Sequence, residues 1–237
     1  IATFAAHLDG VNASGIRRFR PGQDTLADGE TLLLFEDKAT ETNSWFNGQA
    51  YLDTMNPKAV AKFIETTHEA YKRHVAADFG KTVPGIFTDE PNYYYVRQFV
   101  RPWTTALPAE FSRLNGYDLI DRLPELFFRP DGQTCSKVRL DFFNTATTLY
   151  VNAFSRLCGE WCERNSLRFT GHVLNEDDPV AQTDSVGAAM RFYEFQQQPG
   201  IDLLTEHWGI FDTAKQCSSM AHQFGRRWRL SETYGCT

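Results

Sequence analysis

The segment Thr82-Val83-Pro84-Gly85-Ile86-Phe87-Thr88-Asp89-Glu90-Pro91 holds a short apolar run, Val83 to Phe87, that stops abruptly at two carboxylates and a proline. It follows a long helical pattern closed by Gly80. A buried parallel strand reads this way, apolar along its length and ending where it delivers its last residues to a rim. Pro91 predicts extended backbone at Glu90 and an end to the strand there. Taken alone, Asp89 and Glu90 read as two solvated loop carboxylates. The strands that follow change that reading, because they repeat the pattern.

Downstream, three strand–helix units pass in quick succession. Leu167 to Leu174 reads as a strand ending at Asn175-Glu176-Asp177-Asp178, with a helix expected over Ser185 to Gln197. Ile201 to Trp208 is the next strand, and it carries Glu206 and His207 near its end. Its helix is expected from Thr213 to Phe224, with Gly225 as the stop. Trp228 to Tyr234 is the last strand, with Glu232 inside it. Upstream, Asn56-Pro57 opens a helix with a capping acceptor and a proline in the first turn, and apolar residues recur at helical spacing to Phe79. Two short helices are expected over Ala109 to Leu114 and Leu119 to Phe127, then a long amphipathic one from about Ser136 to Arg164.

Strands alternating with helices at this spacing predict a parallel sheet with right-handed crossovers. We therefore expect an α/β fold, a (β/α)8 TIM-barrel-type parallel sheet that is incomplete in this chain. Residues 1–237 read as one partial catalytic barrel domain, with 1–50 an irregular or inserted segment. In that segment, strands over residues 2 to 9 and 31 to 35 flank a loop from Gly10 to Gly29 carrying the basic patch Arg17-Arg18-Phe19-Arg20. The chain begins at Ile1 without Met and stops just after a strand-like segment, so a central fragment of a longer protein is expected.

Bulk composition narrows the partners. A net charge of −6 gives no electrostatic support to a nucleic-acid or anionic-membrane partner, and no run approaches the length of a membrane span. Aromatic residues make up 14% of the chain, a surplus that suits stacking on flat, partly apolar ligands such as sugars. Five cysteines, an odd number without a short-spaced framework, argue against a disulfide scaffold and lean towards a cytoplasmic location. Cys158 and Cys162 read as small core residues. Nothing in the sequence sets the oligomeric state.

Four strands thus end in acids: Asp89 and Glu90, Glu176 with its neighbours, Glu206, and Glu232. The run Glu176 to Asp178 precedes a helix and reads as solvated. Glu232 lies between Leu230 and Tyr234 in a strand, where a charge is costly unless it faces a polar pocket. Two carboxylates across an aromatic-lined pocket are the equipment of glycoside hydrolysis. One, kept protonated, gives its proton to the leaving oxygen, and the other attacks the anomeric carbon or activates water. We assign Glu90 as general acid and Glu232 as nucleophile or general base. Asp89, His172, Glu206 and His207 are candidates for sugar hydroxyls, and Trp45 and Trp103 for stacking. His172 reads equally as a hydrogen-bonded histidine of the barrel wall.

The segments Tyr51-Leu52-Asp53-Thr54-Met55-Asn56-Pro57, Phe79 to Pro91, Arg168-Phe169-Thr170-Gly171-His172 and Ser231-Glu232-Thr233-Tyr234-Gly235 resemble the barrel core of bacterial glycoside hydrolases related to the α-L-rhamnosidases. The resemblance covers roughly residues 43 to 237. In barrel glycosidases an acid/base follows the fourth strand and a nucleophile the seventh, which implies Glu90 and Glu232 for those roles. It implies no obligatory cofactor, although it allows calcium. Two rivals stay open. One is a metal-dependent barrel hydrolase with ligands among His7, Asp9, Asp89, His172 and His207. The other is a carbohydrate-binding barrel without turnover.

Overall fold

The computed structural model describes residues 1–93, 100–203 and 211–233. Its contacts divide the chain into two compact units, Ile1–Tyr51 with Arg97–Ala146, and Leu52–Val96 with Thr147–Thr237. In chain order the elements are β1 (Ala2–Asp9), β2 (Asn12–Arg18), β3 (Thr31–Phe35), α1 (Pro57–Thr66), α2 (His68–Val75), β4 (Gly85–Thr88), α3 (Leu107–Asn115), β5 (Arg129–Pro130), α4 (Lys137–Tyr150), α5 (Arg156–Arg164), β6 (Arg168–Gly171), α6 (Pro179–Ser185), α7 (Ala189–Tyr193), β7 (Gln198–Leu203), α8 (Phe211–Gln223) and β8 (Leu230–Thr233).

The first unit is built on a sheet of order β3-β1-β2-β5. β1 pairs antiparallel with both neighbours, and β2 pairs parallel with β5. The expected loop after Gly10 is therefore largely strand. β2 reads Asn-Ala-Ser-Gly-Ile-Arg-Arg, a poor strand sequence by side chain alone, but pairing along β1 overrides that local preference. Its basic patch is spent on local pairs: Arg17 holds Glu30 at 2.6 Å, Arg18 holds Asp121 at 3.0 Å and Arg20 holds Asp24 at 3.3 Å.

The second unit carries a sheet of order β4-β6-β7-β8, parallel at every step. Mixed helix and parallel sheet is thus the architecture, with the strands in the order the sequence alternation predicts. Among the described strands the sheet is open. One of its faces is packed, with Phe169 buried against Phe192, and Phe192 stacked on Tyr150 and Phe154. Phe87, Arg168, Thr170, Gln198 and Leu230 line a depression of about 340 Å³ elsewhere on the sheet.

Several helices differ from their sequence outline for local reasons. The helix opened by Asn56, whose side chain accepts from the Lys58 N–H, breaks at Thr67 into α1 and α2. Thr66 turns its hydroxyl back onto the carbonyls of Lys62 and Phe63, a bond that competes with straight helix. The long helix after Ser136 is interrupted by a π-helical turn, Val151–Ser155, between α4 and α5. Of the helix expected over Ser185 to Gln197 only α7, Ala189–Tyr193, forms, and a separate helix, α6, ends at Ser185. Gly187 between them has φ 79, and a Cβ there would stand 1.6 Å from the Thr147 hydroxyl, so the chain turns where a helix with a side chain could not pass. Cys158, Cys162 and Cys217 are buried free thiols and Cys135 an exposed one. Burial pushes Cys162 and Cys217 up to about 12.

Candidate active site

β4 delivers Asp89 and Glu90 off its C-terminal end. Glu90 does not stay extended. It adopts φ 47, in the left-handed region that a side chain rarely enters. The turn is held around it: Asn92 Nδ2 donates to the Glu90 carbonyl at 2.9 Å, Thr54 Oγ1 donates to the Asn92 carbonyl at 2.7 Å, and Tyr150 Oη donates to the Pro91 carbonyl at 2.6 Å. Pro91 disfavours the right-handed helical region for Glu90, and these bonds hold the turn that it takes instead. Backbone strain of this kind gathers at functional sites.

β6 delivers His172. Its approach to β4 is possible because Gly171 has no side chain. A Cβ at that position would stand 2.0 Å from the Thr88 carbonyl oxygen, and its φ of 121 suits glycine. The His172 amide then donates to Thr88 O at 3.3 Å, and its ring is 1% exposed. Nε2 lies 3.1 Å from Glu232 Oε2 and 3.5 Å from Asp89 Oδ1, and the Phe87 ring packs edge-on at 5.6 Å. One imidazole therefore touches carboxylates carried by β4 and β8, strands at opposite edges of the four.

β7 contributes Asp202, the register partner of Glu232 across the β7–β8 ladder. Potential ligand atoms of Glu90, His172 and Asp202 all lie within 4.8 Å of one another. Burial raises the Glu90 carboxyl above its ordinary value. The charges of Asp89, Asp202 and Glu232 push the same way, and that of His172 opposes them.

Asp202 escaped the sequence reading, although the signal used for Glu232 applies to it: an acid between Ile201 and Leu203 in an apolar strand. Glu176, expected to be solvated from its acidic run, is 4% exposed. Its Oε2 accepts from Tyr193 Oη at 2.6 Å, its Oε1 accepts from the Asp202 amide, and burial pushes its carboxyl up to about 7. Of the same acidic run, Asp178 caps α6, accepting from the amides of Val180 and Ala181.

Glu206 and His207 lie outside the described residues. Trp45 belongs to the first unit, 86% exposed on a single 3-10 turn, and Trp103 is a half-buried residue of that unit. His7 and Asp9 sit on β1 of the first unit, whereas Asp89 and His172 belong to the second.

No family model matches the chain. A Formosa agariphila protein provisionally named a beta-glucuronidase is 25% identical over 180 residues, which are 73% of this chain and 14% of that protein. The solved rhamnosidase from Novosphingobium sp. PP1Y superposes with a TM-score of 0.60 at 20% identity, over 77% of this chain and 17% of that one. The chain therefore has a glycoside-hydrolase-like fold, and it spans less than a fifth of the length of either protein.

Proposed function

We propose that this chain carries the acid/base centre of a glycoside hydrolase, on part of a β/α barrel, with Glu90 as general acid and Glu232 as nucleophile or general base. The observation that carries the reading is the convergence of both carboxylates on the buried His172 ring at the C-terminal ends of parallel strands. Glu90, raised by partial desolvation and by three like charges against the opposing charge of His172, is suited to keep a proton better than an ordinary carboxylate and to release it to a departing glycosidic oxygen. Glu232 keeps its hydrogen bond to His172, which orients the carboxylate towards the same space. Asp89 and Asp202 stand beside the same space, where a carboxylate can accept hydrogen bonds from sugar hydroxyls.

Both names among the comparisons belong to glycosidases, and the local charge separates them. Asp89, Glu90, Asp202 and Glu232 surround one imidazole, so a uronate carboxylate would meet repulsion that a neutral deoxysugar would not. A neutral sugar, rhamnose foremost, is the substrate we assign.

The calcium that the resemblance allows can be weighed against the donors present. Calcium takes six to eight oxygen ligands. Glu90 and Asp202 offer carboxylate oxygens to one point, while His172 is a nitrogen donor already engaged with Glu232. Glu90 is the proton donor of this reading, and a carboxyl that keeps its proton cannot also bind the ion, so Asp202 is the one carboxylate of the three and the set does not fit calcium.

The test is hydrolysis by the full-length protein of an aryl α-L-rhamnoside against an aryl β-D-glucuronide, with Glu90→Gln and Glu232→Gln alongside. Turnover of the rhamnoside should fall by about 10³-fold or more in each variant with sugar binding retained. Unchanged turnover in either variant removes that residue from the mechanism. Binding without turnover in the native protein makes this a carbohydrate-binding barrel.

A further inference from the structure

We propose that Glu176 is the positioning residue of this centre, a buried clamp that fixes the C-terminal end of β7 and thereby sets where Asp202 and Glu232 stand. Its activity test rests on the glycosidase reading above, and its structural test does not.

The clamp acts on the β6 side of β7, where the β6–β7 pairing has ended while the β7–β8 pairing runs on to Leu203. β6 and β7 are paired at Thr170 with Gln198 and at Gly171 with Pro199. Asp202 lies three residues past that last pair, and its amide is taken up by the Glu176 Oε1 instead. Glu176 follows β6 by a short turn through Asn175, which has φ 59 and donates through Nδ2 to Ser185 Oγ at 2.7 Å. The side chain thus reaches from beyond the end of one strand to the neighbouring strand's tip.

Glu176 is itself gripped by three helices. Tyr193 of α7 donates to Oε2. The backbone carbonyl accepts from Gln182 Nε2 of α6 at 2.8 Å and from Gln216 Nε2 of α8 at 3.1 Å. Gln182 Oε1 in turn accepts from the Ala189 amide at 3.0 Å. A carboxyl group in the interior is costly unless each oxygen is occupied, and here both are. A residue whose only task was to be acidic and solvated would not be enclosed this way. The beneficiary is legible in the register: Asp202 is paired with Glu232 across β7–β8, so displacement of the β7 tip moves both carboxylates relative to Glu90 and His172.

Glu176→Gln keeps an acceptor for the Asp202 amide, and Glu176→Leu removes it while filling the space. In the full-length protein two quantities are measured: amide hydrogen exchange at Asp202 relative to Phe169, and kcat and KM on the aryl glycoside that the native protein hydrolyses. Glu176→Leu should speed Asp202 exchange about tenfold or more over Phe169. It should lower kcat by about 10–100-fold with KM within about threefold, as expected for misplaced groups in a site that still binds. Glu176→Gln should rescue both to within about threefold. Should Glu176→Leu not fold, Tyr193→Phe, which removes one donor to the carboxylate, should speed Asp202 exchange about two- to fivefold.

Unchanged Asp202 exchange in Glu176→Leu, or in Tyr193→Phe where the leucine variant is unfolded, overturns the clamp. So does a native kcat in folded Glu176→Leu. The two failures are distinguishable. Active Glu90→Gln and Glu232→Gln with fast Asp202 exchange in Glu176→Leu sink the glycosidase reading and leave the clamp standing. Dead Glu90→Gln and Glu232→Gln with a normal Glu176→Leu do the reverse.

Discussion

If Glu90 is the general acid, its ionisation sets the alkaline limb of the kcat/KM profile, and His172 governs where that limb falls. The His172 charge holds the Glu90 carboxyl down, against burial and against Asp89, Asp202 and Glu232. Neutralising His172 as His172→Gln, which retains a polar group towards Glu232, should therefore let Glu90 rise. The facing atoms lie within 4.8 Å, and unit charges at that distance interact by about 0.9 kcal/mol in water and about 3.5 kcal/mol at an effective dielectric of about 20. Glu90 is solvent-exposed, so screening places the effect at the low end, about 1 kcal/mol, or about 0.7 pH unit. The alkaline limb should move up by that amount. Asp89→Asn removes a charge that raises Glu90 and should move the same limb down by a smaller step. The assay is kcat/KM from pH 4 to about pH 9 on an aryl glycoside, since that quantity reports the free enzyme. A limb that ignores both substitutions, or that moves the same way in both, refutes Glu90 as the proton donor.

Gly171→Ala should destabilise the second unit by about 3 kcal/mol or more, because its Cβ would meet the Thr88 carbonyl at 2.0 Å in a backbone conformation alanine resists. Urea titration of the variant measures this, and a loss under about 1 kcal/mol would show that β4 and β6 are not held so closely. The His68 ring is 1% exposed between Phe63 and Trp161, and burial lowers its pKa below the ordinary value of 6.5. The unfolded chain then binds the proton more readily, so stability should fall as pH drops below about 6.5. His68→Leu should flatten that acid-side slope in urea midpoints taken at several pH values, and an unaltered slope would assign it to other groups. Treating the full-length protein with a chelator should leave glycosidase turnover within about twofold, since Glu90, His172 and Asp202 do not make a calcium site. A loss of turnover restored by zinc would favour the metal-dependent hydrolase.

The succession of β4, β6, β7 and β8 was legible because short strand-like segments bounded by turn residues alternate with helical patterns, and period and punctuation are local properties. β2 was not, since Asn12 to Arg18 is a strand only by virtue of the β1 edge beside it. The helix through Ser185 to Gln197 misled for a related reason: its apolar spacing is helical, but Gly187 passes where only a glycine fits against Thr147. Acid placement followed the same division. Asp89, Glu90 and Glu232 could be assigned to strand ends from the linear pattern alone. Whether an acid is solvated or enclosed depends on side chains far along the chain. Glu176 looked like part of a hydrated run until Tyr193, Gln182, Gln216 and the Asp202 amide came around it.

What the sequence determined by itself was the set of strands and the residues standing at their ends, because hydrophobic period and chain-breaking residues act over a few positions. Only the tertiary structure decided that β4 and β8 bring their carboxylates to one buried imidazole, that Glu90 leaves extended backbone, and that Glu176 turns inward. Those outcomes depend on strand register, on glycines that permit close backbone approach, and on hydrogen bonds between residues up to 60 positions apart, none of which a local pattern encodes.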